Sequence, residues 1–207
     1  RHNEVEHLVY ASSSSVYGMN GKLPFSIQDN VDHPVSLYAA TKRANEMMAH
    51  SYAHLYRMPV TGLRFFTVYG PWGRPDMAMW LFAEAMLAGR PVQVFNHGRM
   101  RRDFTYVDDI LAGVKASLFA EGLEDYEIIN LGHHQPENLM DLVALLGRTL
   151  GVEPQVEFLP MQPGDVEATY ADIARAHQKL GFHPRTSLAE GVPRFVEWYR
   201  EYHRRCG

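Results

Sequence analysis

The sequence predicts an α/β chain built on a parallel sheet. Two observations predict it. Short apolar, strand-like runs alternate with longer stretches of helical period along nearly the whole length. The first such run, residues 6–12, is continuously apolar in its middle and reads as a buried parallel strand rather than a half-solvated one.

The elements follow in order. Residues 6–12 are a strand that runs into Ser12-Ser13-Ser14-Ser15. A four-serine run is ordinarily flexible, but ligands of open α/β sheets bind at the carboxyl ends of strands. Residues 19–35, with Gly21, Pro24, Asp29, Asn30, Asp32 and Pro34, read as a loop. A helix over 36–57 contains no Pro and no Gly. Ser36 is its expected N-cap, and Leu37, Ala40, Ala44, Met47, Met48, Tyr52, Leu55 and Tyr56 recur at helical spacing. Residues 60–66 form the next strand, 71–75 a loop, and 76–88 a helix stopped by Gly89. Short strands follow at 92–95 and 103–106. The helix at 108–120 carries Asp108 and Asp109 at its N-terminus, where the helix dipole favours acids. Residues 127–131 are strand, 137–150 helix closed by Gly151, 155–159 strand, 161–165 loop and 172–180 a short helix. A terminal helix over 188–204 bears Val192, Phe195, Val196, Trp198, Tyr199 and Tyr202, an aromatic face for the core or for a subunit interface.

Composition bounds the function. The chain has 207 residues, 46% of them hydrophobic, enough for a proper core. A net charge of −4 leaves no electrostatic footprint for nucleic acid. No apolar stretch reaches the ~18 residues of a membrane span. The one cysteine, Cys206, allows no disulfide within the chain and fits a reducing, cytoplasmic compartment. His50 and His54 stand four apart on one helix, but no third ligand is evident and no metal is expected.

The chemistry centres on Tyr38 and Lys42, four residues apart and therefore neighbours on one helix face. A phenol with its ordinary pKa near 10 is a poor base at neutral pH. Moving it to ~7 needs roughly 4 kcal/mol, which one cation ~4 Å away supplies at an effective dielectric of ~20. Tyr38 beside Lys42 is thus a candidate proton acceptor for an alcohol. The spacing alone favours the other reading, a packed tyrosine and a solvated lysine.

The flanking segments decide between those readings. Ser12-Ser13-Ser14-Ser15-Val16-Tyr17-Gly18, Tyr38-Ala39-Ala40-Thr41-Lys42, Leu63-Arg64-Phe65-Phe66-Thr67-Val68-Tyr69-Gly70-Pro71 and Arg101-Arg102-Asp103-Phe104-Thr105-Tyr106-Val107-Asp108-Asp109 occur in this order. Together they resemble the extended short-chain dehydrogenase/reductase family, specifically its NAD-dependent nucleotide-sugar epimerases, over nearly the whole chain. The resemblance implies a doubly wound, Rossmann-type parallel sheet with a smaller α/β substrate domain. Residues 1–70 would be the remainder of the NAD-binding domain, and 71–207 mainly the substrate domain, with some segments returning to the first. The family opens on a Gly-x-x-Gly-x-x-Gly turn, which this sequence lacks, and the sequence begins at Arg1 without an initiator Met. A doubly wound half needs several βαβ units of ~30 residues. The expectation is therefore a C-terminal part with the Gly-rich half absent, tight NAD binding requiring that half.

The resemblance also assigns roles. Tyr38 is the base, Lys42 its cation and the holder of the nicotinamide ribose, and Ser13 the hydroxyl that binds the sugar hydroxyl being oxidised. Ala11, Ser12, Phe65 and Val68 line the cofactor, and Thr67 faces the sugar. Gln93 and Phe95 cradle the uracil, Arg102 holds the diphosphate and Asp165 accepts from a ribose hydroxyl. Ser14 and Ser15 stand where the family's dehydratases carry Asp and Glu. Serine cannot replace a carboxyl acid/base, so epimerisation is expected over dehydration or decarboxylation. The loop Gly70-Pro71-Trp72-Gly73-Arg74-Pro75-Asp76-Met77-Ala78 is similar to one in UDP-glucuronate 4-epimerases, where the Arg faces the sugar. A guanidinium matches the glucuronate carboxylate in charge and shape; the alternative for Arg74 is a loop-capping pair with Asp76. The expected partners are a UDP-sugar, best UDP-glucuronate with UDP-glucose next, and a second copy in a homodimer through the Tyr38 helix. A silent fragment that keeps only the substrate-binding half is the reading from another class.

Overall fold

A computed structural model describes residues 1–3, 5–162 and 164–206. Its first sheet is three parallel strands in the order β1, β2, β6: β1 Leu8–Ser13, β2 Val60–Phe65 and β6 Tyr126–Leu131. The register sets Ser12 beside Arg64 and Arg64 beside Asn130, so one polar row crosses all three strands. Side chains alternate along a strand, and the neighbouring Leu63, Ile129 and Leu131 point into an apolar cluster with Ile110, Ala176 and Phe182. Those last three come from α3 Val107–Phe119, α5 Ala174–Leu180 and the turn after α5.

The opposite face carries α1 Leu37–Tyr56. Ser36 caps it as expected, its hydroxyl accepting from Ala39 N at 3.1 Å. The expected apolar face is not the buried one. Leu37 is 83% and Leu55 66% exposed, and Met47, Met48, Tyr52 and Tyr56 are exposed as well. The buried residues of α1 are Ala39, Glu46 and Ala53. The helix lies flat on the sheet through small side chains and one carboxylate, and its larger apolar residues face outward.

The strand expected over 60–66 is two strands. β2 ends at Phe65, buried Phe66 turns the chain, and β3 Thr67–Tyr69 starts in a second sheet. There β3 pairs in parallel with β5 Arg101–Tyr106. β5 also pairs with β7 Pro136–Asn138, antiparallel, and β9 Ala168–Thr169, parallel. The helix expected from 137 therefore begins later, as α4 Leu139–Leu150, because its first residues complete this sheet. β9 was not expected; two residues carry no readable period. β4 Val92–Val94 and β8 Val156–Phe158 pair apart from the rest.

The largest core lies between these strands and α2 Ala78–Leu87, α4 and α6 Leu188–Cys206. Leu142, Leu146, Val92, Val94, Val192 and Phe195 are fully buried in it, each such side chain contributing roughly 1.5–3 kcal/mol. α6 approaches closely because of Gly191, where a Cβ would stand 2.1 Å from the Tyr69 hydroxyl. No described helix is long and apolar enough to cross a membrane.

Candidate active site

The serine run becomes a short 3-10 turn, Ser14–Tyr17, at the carboxyl end of β1. Ser13 caps it, its Oγ accepting from Ser15 N at 3.2 Å and Ser15 Oγ at 3.0 Å. That fixes a hydroxyl at the strand end. Tyr38 and Lys42 come to the same place from the first turns of α1. Lys42 Nζ donates to Ala11 O at 3.1 Å and stands 5.7 Å from the centre of the Tyr38 ring. Tyr38 is 47% exposed, so its hydroxyl is accessible to a ligand.

These residues border one cavity of ≈ 480 Å³. Ala11, Ser12, Ser13, Ser14, Phe65, Thr67, Val68 and Arg74 border it too. The positions expected to serve the cofactor and the reacting sugar thus converge here, except Ser15. Gly70 shapes its rim: with φ +137° the loop passes so near α3 that a Cβ would lie 2.6 Å from Val107 Cγ1.

A second cavity of ≈ 740 Å³ is bordered by Gln93, Phe95, Arg102 and Asp165, the four positions expected to hold the nucleotide. Arg102 Nη2 donates to Asp165 Oδ1 at 2.7 Å, and its Nη1 to Glu167 O at 3.2 Å. Burial pulls the Arg102 guanidinium below its usual pKa, with the Asp165 charge opposing. Gln93 Nε2 donates outward to Glu157 at 3.0 Å. A small cavity of ≈ 200 Å³ adjoins both: it shares Ser14 with the first, Arg102 and Asp165 with the second, and includes Ser15. Thr67 borders all three, because the switch of sheets at Phe66 sets it between them.

Arg74 takes the loop-capping alternative. Its Nε and Nη2 reach Asp76 at 3.2 Å, on a pair whose side chains are both more than half exposed. Among the described residues no group of three His, Cys, Asp or Glu could hold a metal.

Sequence reading passed over a buried polar network beneath the site. Arg64 Nε and Nη2 grip Glu46 Oε1 and Oε2, both at 2.8 Å. Ser12 Oγ donates to Glu46 Oε1 at 2.6 Å. Arg64 Nη1 donates to Tyr17 Oη at 3.0 Å, and Tyr17 Oη to Asn130 Oδ1 at 2.6 Å. Burial pushes the Glu46 carboxyl up, but the Arg64 bonds and charge, with Ser12 and Arg43, hold it below its usual range. Burial pushes the Tyr17 phenol up. Two signals could have found the network: Glu46 continues the four-residue spacing of Tyr38 and Lys42, and Arg64 is a charge inside an apolar strand run.

The model of the NAD dependent epimerase/dehydratase family matches residues 1–132. Protein CapI of Staphylococcus aureus is 47% identical over 221 residues, covering 99% of this chain and 66% of CapI. A probable UDP-glucuronate 4-epimerase of Rhizobium meliloti is 45% identical over 218 residues, covering 97% of this chain and 64% of that protein. The crystal structure of the Bacillus cereus UDP-glucuronic acid 4-epimerase with UDP-glucuronic acid and NAD superposes with a TM-score of 0.89 at 33% identity. That match covers 97% of this chain and 63% of the Bacillus chain. The chain therefore spans a little under two thirds of these relatives.

Proposed function

Because the chain belongs to the NAD dependent epimerase/dehydratase family, we propose that it takes part in the NAD-dependent epimerisation of a UDP-sugar at C4, converting UDP-glucuronate to UDP-galacturonate. The observation that carries this reading is the adjacency of the three cavities around Thr67. A nucleotide sugar needs a base pocket, a charged diphosphate stretch and a reaction chamber in series, and this series offers them in that order.

The Tyr38 cavity fits the nicotinamide end of the cofactor. Phe65, Val68 and Val107 give it apolar wall, and of the three N–H donors of Lys42, Ala11 O takes one. When bound, NAD supplies a reversible hydride acceptor for the sugar carbon. The protein's own part is proton transfer and positioning. Tyr38 accepts the C4 hydroxyl proton, directly or through Ser13 Oγ, and later returns it. Lys42 keeps a positive charge beside the ring. Arg102 and Asp165 hold the diphosphate and ribose, and Phe95 stacks on the base with Gln93 at its edge. Ser14 and Ser15 are neutral, so they lack the acid/base group that eliminating water requires and do not repel a sugar carboxylate. The exposed apolar residues of α1 are the face through which two copies pair.

Arg74 reads the carboxylate in this proposal, exchanging or sharing its Asp76 contact. The Arg74–Asp76 pair also favours a second reading, a neutral hexose as in UDP-glucose, for which Arg74 is not needed. One comparison separates them, using the product of the intact gene. Arg74→Ala is expected to weaken UDP-glucuronate by about 2–3 kcal/mol, the scale of one charged hydrogen bond, and to leave UDP-glucose nearly unchanged. Equal losses for both sugars would show that Arg74 does not read the carboxylate, and a wild type that prefers UDP-glucose would assign the second reading.

A further inference from the structure

We propose that Glu46 and Arg64 form a positioning pair, a buried ion pair that sets the height and rotation of α1 over β1 and so places Tyr38 and Lys42 at the strand end. The inference rests on the roles given to those two residues above, and one arm of its test does not depend on them.

Tyr38, Lys42 and Glu46 occupy one row of α1, about 6 Å apart along the axis per step of four residues. Two of the three grip β1 at successive residues, Lys42 on Ala11 O and Glu46 on Ser12 Oγ. The helix is therefore fastened to the strand immediately below the reaction chamber. Glu46 is in turn held bidentately by Arg64, the register partner of Ser12 in the Ser12–Arg64–Asn130 row. Tyr126 Oη donates to Glu46 O at 3.1 Å and fixes the helix backbone at the same level. Every strand of the first sheet thus contributes to the hold.

Beside the Lys42–Ala11 and Tyr126–Glu46 bonds, the described contacts of this interface are small and apolar. The other fully buried residues of α1 are Ala39 and Ala53. Small apolar side chains on a sheet give attraction without direction, and they neither lock the helix against sliding nor against rolling. The larger apolar residues of α1 face away from the sheet. Stability is a weak reason for the pair, because a buried ion pair is often matched or exceeded by apolar residues of similar volume. Its side chains are 0% and 3% exposed, so it touches no ligand. What the pair supplies is geometry: two fixed forks joined at 2.8 Å, at a place where a shift of about 1 Å in the groups above can cost about 10²-fold in rate.

The test uses the product of the intact gene and the double variant Glu46→Met with Arg64→Met, which removes both charges and keeps the volume. The expected result is cooperative unfolding with a Tm close to wild type. The kcat on the UDP-sugar falls about 10- to 100-fold, KM changes little, and the crystal structure shows Lys42 Nζ out of reach of Ala11 O. Recovery of kcat along with Tm, or an intact Lys42–Ala11 contact in that crystal structure, overturns the proposal. Glu46→Asp is the second variant. It keeps the charge pair, shortens its arm by one methylene, and is expected to lower kcat with Tm and KM nearly unchanged; full kcat in Glu46→Asp also overturns the proposal. If the wild type turns over no UDP-sugar, the functional reading fails, and the Lys42–Ala11 distance in the variant still decides the positioning role.

Discussion

Tyr38 is accessible, lies on the same helix face as a lysine anchored to Ala11 O, and opens on a cavity that also contains the Ser13 hydroxyl. Phenylalanine at this position keeps the ring and removes only the proton acceptor. Tyr38→Phe is expected to lower turnover of the UDP-sugar by roughly 10²–10⁴-fold, the usual worth of a general base. Calorimetry with the same sugar nucleotide should give nearly the wild-type affinity if, as proposed, Arg102, Asp165 and Phe95 hold the other end. Turnover close to wild type would move the base to another residue.

At the scale of elements, α1 is joined to the sheet by a charge pair whose energetics depend on pH. Glu46 faces Arg64 from β2, Arg43 from its own helix, Ser12 from β1, Tyr17 from the turn after β1, and Tyr10 and Tyr126 from the strands beneath. Its carboxyl is held below the usual range in the folded protein. The stability this confers is present in full above the unfolded value near 4.3 and is lost as pH falls through the lower folded value. Thermal unfolding between about pH 5 and pH 3 is the measurement. Wild type should lose Tm steeply on acidification, and the Glu46→Met, Arg64→Met variant should show a shallower slope. Parallel slopes would show that other carboxylates carry the acid sensitivity.

The whole molecule presents an unusual helix. α1 turns Leu37, Met47, Met48, Tyr52, Leu55 and Tyr56 outward, and large apolar residues exposed together mark a candidate interface. If that face pairs two copies, Leu55→Arg should shift the protein toward monomer in sedimentation while leaving its far-ultraviolet spectrum unchanged. A wild type that is monomeric at all accessible concentrations would remove the pairing from the proposal.

What the sequence determined by itself was local. Ser36 as a cap, the 36–57 helix, the αL glycines that end α4 and α5, and the Tyr38–Lys42 pairing each depend on residues within one or two turns. The positions now bordering the cavities were legible through their resemblance to a family, in which Thr67, Arg102 and Asp165 stand in recognisable runs. Tertiary structure decided the rest. It broke the 60–66 run at Phe66, because Thr67–Tyr69 finds its partner in β5 rather than in the first sheet. It took 137 and 138 from the expected helix to complete that second sheet. It buried Glu46 against Arg64 while leaving the larger apolar residues of α1 outside. Periodicity and capping are written in neighbouring residues. Which distant charges meet, and which face of a helix is covered, depends on what the surrounding strands desolvate, and no short stretch of sequence contains that.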